Sequence, residues 1–154
     1  MSTEHNGRTL GRTWLRVGLL FVAASPLAGG LWALLFPRAF YNGFPLPGRD
    51  WVSTLGPYNE HLVRDYGALN LALAVLLVSA AIYLELRLAR VALISWLVFA
   101  TPHFVFHLGQ THHFPARSNA EQLGGLGLLV LLPLVLLFFS ARRESPPNRK
   151  ESTP

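Results

Sequence analysis

The chain contains no cysteine, which excludes a disulfide framework, a thiol relay, an iron–sulfur cluster and any zinc–thiolate site. Charge is scarce too. Only 14% of the 154 residues are Asp, Glu, Lys or Arg and 51% are apolar, whereas a soluble domain carries about 25% charged residues. That deficit argues against an ordinary cytosolic fold. The net charge of +5 would in isolation suit a nucleic-acid binder, but its placement does not. Residues 17–37, 66–84, 91–116 and 123–141 carry no charge, runs of 21, 19, 26 and 19 residues. Each is long enough to cross a bilayer, which takes about 20 mostly apolar residues. The expectation is an all-α integral membrane four-helix bundle.

The reading divides the chain into an N-terminal segment (1–13), a membrane domain (14–140) with spans near 14–36, 65–84, 91–110 and 123–140, and a polar, proline-containing tail (141–154) expected to be disordered. The first span follows Arg8, Arg12 and Arg16 like a signal peptide, but its apolar run continues through Leu35, longer than an h-region, so it is expected to be retained. Lys and Arg beside the spans set the orientation. Nine flank the ends and the second connection (Arg8, Arg12, Arg16, Arg87, Arg90, Arg142, Arg143, Arg149, Lys150), against four in the first and third connections (Arg38, Arg49, Arg64, Arg117). Both termini are therefore expected in the cytoplasm of a cell whose inner (plasma) membrane holds the chain. The partners are then the lipid bilayer and other membrane proteins, with no nucleic acid. Pro26, Pro102 and Pro133 lie within spans, where neighbouring groups can satisfy the carbonyls they free. Ser25 and Gly29 would admit a close helix neighbour, and the leucine-rich stretch 126–137 reads as lipid-facing.

Polar groups gather at the outer ends of spans two and three. Pro57 suits a first helical position. Beyond it, Glu60 and Arg64 are four apart, as are His61 and Asp65, and Asn70 lies deeper. His103, His107 and Gln110 share a helical face by the i, i+4, i+7 rule. A tight link over residues 85–90, centred near 87–88, makes spans two and three antiparallel neighbours and sets position 107 level with about 68. Glu60, His61, Arg64, Asp65, Asn70, His103, His107 and Gln110 are thus expected to line one outward pocket. Ionisable groups at membrane depth are costly and tend to pair inside a bundle.

Several chemistries fit such a set. Its members can be purely structural, as ion pairs at the helix junction and imidazoles on carbonyls freed by Pro102. A metal ion would use His61, Asp65, His103 and His107 as donors. A quinone or other lipid-soluble ligand would use aromatic walls from Tyr66, Phe104 and Phe106, with histidines able to exchange protons near neutral pH. Haem is disfavoured, because His103 and His107 on one helix cannot ligate it from both sides. Membrane di-iron enzymes need about eight histidines, and there are six here. The aromatic connection 37–58 serves equally as an interfacial belt or as a lid. Nothing in the spacing assigns a catalytic residue or decides whether the chain is an enzyme, and an assembly subunit is a further alternative.

The segments 40–45 (FYNGFP), 56–65 (GPYNEHLVRD) and 102–107 (PHFVFH) resemble those of small actinobacterial membrane proteins, and the layout is similar to the DoxX-like superfamily. The resemblance covers roughly Phe40 to His113. It implies a four-helix bundle in a bacterial inner membrane and a redox or quinone association, with an oxidoreductase component as one outcome. Members that rely on cysteine are departed from, so no catalytic residue carries over.

Overall fold

The computed structural model describes residues 2–142, with side chains for residues 11–140. The order is α1 (Ser2–Leu35), α2 (Pro37–Gly43), α3 (Glu60–Tyr83), α4 (Leu86–Gly109), a 3₁₀ turn (Thr111–His113) and α5 (Ala116–Arg142), with no strand among the described residues. The segments Gly11–Leu35, Glu60–Tyr83, Leu86–Gly109 and Ala116–Ser140 are each long and apolar enough to cross a membrane. At 24 or 25 residues they reach about 36 Å, more than a hydrocarbon core of about 30 Å. Their outward faces are apolar as well. Val75 on α3, Val98 on α4 and Leu131 on α5 are among many large side chains left exposed, the reverse of a water-facing bundle.

The long helices begin earlier than the apolar runs, and at α3 a side-chain cap sets the start. Asn59, with its side chain accepting from the Leu62 N–H, caps α3, so Pro57 lies outside the helix. The link between α3 and α4 is only Leu84 and Glu85, with Leu84 in the left-handed region at φ 52°. The turn is therefore displaced from the expected centre near 87–88, and His107 lies level with about residue 62 rather than 68. Of the tail expected to be disordered, residues 141 and 142 continue α5 and 143–154 lie outside the described residues.

Although a two-residue link joins α3 to α4, α3 packs most extensively on α1, and α4 on α5. The buried faces explain the first pairing. Leu15, Leu19, Val22 and Ala23 of α1 meet Leu77, Ala80 and Ala81 of α3 in one apolar cluster with Ala89, Ala92, Leu93 and Trp96 of α4. Backbones touch at Gly30 and Gly67, where an added Cβ would stand 3.0 Å from the Gly67 carbonyl oxygen and 2.6 Å from the Leu34 nitrogen respectively. Gly29 has ordinary room, so the close approach falls one residue from the expected pair. The leucine stretch of α5 is divided: Leu128, Leu131 and Leu134 are exposed, while Leu129, Leu132, Leu136 and Leu137 pack on the core cluster.

Three arginines tie neighbouring helices together at their C-terminal ends. Arg64 donates to the Leu34 carbonyl of α1 (2.6 Å), Arg16 to Ala81 of α3 (3.1 Å) and Arg90 to Ser140 of α5 (2.8 Å). These carbonyls belong to the last turns, which lack intrahelical partners, and the helix dipole there favours a cation.

Candidate functional site

The bundle is tight at the α3–α4 turn and open at the other end. There α3, α4, α5 and the connection after α1 enclose a cavity of about 840 Å³. From α4 come Trp96, Phe99, Ala100, His103 and His107, which recur at helical spacing and so share one face. Gln122, Gly125, Leu126 and Leu129 of α5 follow i, i+3, i+4, i+7 and form the facing wall. α3 contributes Val63, Tyr66 and Asn70, with Leu62, Asp65 and Leu69 towards the outside. Leu62, Leu69 and Phe106 both line the cavity and are exposed, which marks a sideways mouth between α3 and α4.

The roof is the connection between α1 and α3. Phe40, Phe44, Trp51, Val52 and Leu55 line the cavity, and the Phe40 ring lies 4.7 Å from Phe44 and 5.6 Å from Tyr66, centroid to centroid. Arg49 fastens this roof to α5 through Glu121 (2.9 Å), which Arg117 also contacts (3.0 Å). Such partly exposed pairs contribute about 0.2–1 kcal/mol each, so they position the roof more than they stabilise the fold. Nearby, Tyr58 donates to Glu60 (3.2 Å) beneath the Arg38 guanidinium, 3.7 Å from its ring centroid. Partial desolvation, together with the Glu60 carboxylate, holds the Tyr58 phenol above its ordinary range.

The polar residues expected to share a pocket divide into two groups. Asp65, Asn70, His103 and His107 line the cavity, whereas Glu60, His61, Arg64 and Gln110 do not. Glu60 and Arg64 pair at 2.9 Å, and His61 and Asp65 at 3.2 Å, all on the exposed side of α3. Arg64 also turns to α1 through Leu34, away from the histidines. Gln110 caps α4 through its backbone N–H on His107. Asn70 is buried and donates to the Tyr66 carbonyl at 2.9 Å. His103 stacks on Phe99 with centroids 5.4 Å apart, and meets His107 edge-on at 4.8 Å.

His107 has a partner that the spacing of histidines gave no hint of. Its Nδ1 lies 2.8 Å from Gln122 Oε1. A carbonyl oxygen only accepts, so this contact places the imidazole proton on Nδ1 and leaves Nε2 as an acceptor. Trp51 and Gln122 are the functional candidates that the sequence reading missed. The one available signal was Gln122 opening the i, i+3, i+4, i+7 series that ends at Leu129. Among the described residues no group of three or more His, Asp or Glu side chains comes together to hold a metal ion. His61, Asp65, His103 and His107 do not form one donor set, because His61 sits outside with Asp65 at the mouth and the other two imidazoles lie within.

No family model, curated protein or solved structure matches the chain. The similarity to the DoxX-like superfamily is one of layout alone, and no comparison supports it. What the geometry offers is an apolar, aromatic chamber with imidazole, amide and indole groups at one end and a carboxylate at its mouth. Such a chamber can take up an apolar body and hydrogen-bond a small head.

Proposed function

We propose that the chain is a multi-pass protein of the bacterial inner membrane, with both termini in the cytoplasm, that binds a membrane-dissolved small molecule in this cavity. The carrying observation is the 840 Å³ chamber, within the range of about 300–1,000 Å³ used by small-molecule sites, with exposed leucines and a phenylalanine edging its mouth. In the orientation favoured by nine against four flanking basic residues, that mouth faces the outer leaflet laterally. A ligand would then enter from lipid, tail trailing, with its head beside His103 and His107. A purely structural subunit calls for a filled interior, which such a chamber does not serve. A DoxX-like oxidoreductase would use the same chamber and add turnover.

Filling the chamber tests the reading. Gly125 lies on the lining face of α5, and an added Cβ there meets nothing within 4 Å, so Gly125→Phe introduces a ring without displacing backbone. Organic extracts of the purified wild type are expected to contain a lipid-soluble compound that the folded variant lacks. Equal extracts from both folded proteins would reject ligand binding. Orientation has its own check, because a chain without cysteine accepts single reporters cleanly. Gly56→Cys should react with an impermeant maleimide on intact cells, and Glu85→Cys only after permeabilisation. The opposite pattern reverses the topology.

A further inference from the structure

The chamber holds idle hydrogen-bond donors but committed carboxylates. Among the described residues Trp51 Nε1 and Gln122 Nε2 are buried and find no hydrogen-bond partner, and both residues line the cavity, one from the roof and one from α5. Gln122 is only 3% exposed. Its amide oxygen is held by His107, so the NH₂ half is the part left over. Buried donors are nearly always satisfied in folded proteins. The two cavity-lining carboxylates are engaged elsewhere: Asp65 with His61, and Glu121 with Arg49 and Arg117. Among the described residues that line the chamber there is no Arg or Lys.

This pattern discriminates among heads. An anionic head, such as a phosphate or a fatty carboxylate, would meet no guanidinium or ammonium in the wall and would face two carboxylates. A cationic head would have to displace the partners those carboxylates already hold. An uncharged head with carbonyl oxygens supplies what is lacking, an acceptor for each idle donor. We infer that the ligand is a neutral, carbonyl-bearing lipid whose head accepts hydrogen bonds from Trp51 Nε1–H and Gln122 Nε2–H. The inference rests on the ligand-binding reading above and names its chemistry. The carbonyl can belong to an acyl ester or to a ring dione, and the probes below separate these sources.

The experiment titrates the purified full-length protein in detergent with three compounds of similar tail length: a fatty-acid methyl ester, a decyl-substituted benzoquinone and decylbenzene, which has no acceptor. Binding is read from thermal stabilisation and from the Trp51 indole N–H resonance. A carbonyl probe is expected to bind at least fivefold more tightly than decylbenzene and to move that resonance downfield. Whichever carbonyl compound does so identifies the source. Trp51→Phe, and separately Gln122→Met, should each weaken it about fivefold more than they weaken decylbenzene, the equivalent of one hydrogen bond of about 1 kcal/mol. Should either variant fail to fold, the wild-type indole resonance still decides. If decylbenzene binds as tightly as both carbonyl probes and the indole proton does not respond, the carbonyl assignment is wrong while the cavity reading stands. If none of the three binds, both fall.

Discussion

Gly67→Ala is expected to destabilise the bundle by about 3 kcal/mol, the upper end of the range for overpacking, which reduces the folded-to-unfolded ratio roughly a hundredfold. The added Cβ would lie 2.6 Å from the Leu34 nitrogen, 2.9 Å from the Gly30 carbonyl oxygen and 3.0 Å from the Leu34 Cα. All three are backbone atoms, so no rotamer change relieves the contact. α1 and α3 must separate, and small residues at such crossings are what allow membrane helices to touch. Separation would also strain the Arg64 bond to Leu34 at 2.6 Å and loosen the Ala33–Phe40–Val63 cluster beneath the roof. Gly125→Ala is the control, since its Cβ enters open space and should shift stability by no more than about 0.5 kcal/mol. Equilibrium unfolding in mixed detergent and SDS measures both. Similar effects from the two alanines would show that the α1–α3 contact is not tight.

That contact also shows what one sequence can and cannot reveal. The four long helices were legible because an uncharged run of about 20 residues is a local property, and so was the i, i+4 pairing of Glu60 with Arg64 and of His61 with Asp65. Which helix α3 lies against was not. A short link to α4 suggests that neighbour, yet the glycines at 30 and 67 draw α3 to α1 and leave the far ends of α3 and α4 apart. The chamber exists because of that preference. Arg64 belongs to the α1 side of α3 for the same reason, so it caps α1 and does not face His107. The turn was misplaced by a few residues because α4 starts at Leu86 and takes Arg87 and Arg90 into its first turns, where the charged stretch 85–90 reads as a connection. Trp51 and Gln122 were hidden differently. Each is an isolated polar group whose role depends on a partner from a distant segment, and no spacing rule reaches from a roof loop to α5.

Trp96 illustrates the same point at a proline. Pro133 has no N–H, so the Leu129 carbonyl four residues before it loses its helical partner. Trp96 Nε1 donates to that carbonyl across the α4–α5 interface at 2.8 Å. The indole is 2% exposed, lies 5.6 Å from the Phe99 ring and forms part of the chamber wall. Trp96→Ala is expected to cost about 4 kcal/mol, mostly through the void left by the ring. Trp96→Phe keeps most of the volume but strands the carbonyl, for about 2 kcal/mol. The decisive variant is Pro133→Ala, which returns an N–H to Leu129. Pro133 is itself buried, so its replacement leaves a small void, but that cost is common to both backgrounds and cancels in a double-mutant cycle. Alone, Pro133→Ala should give little or no gain, because Trp96 already occupies the carbonyl. In the Trp96→Phe background it should recover about 1 kcal/mol, as the helix supplies the missing donor. Additive effects within about 0.3 kcal/mol would mean that Trp96 contributes packing alone. A recovered kilocalorie would mean that α5 tolerates its proline because α4 brings the indole to it, the same indole that walls the chamber.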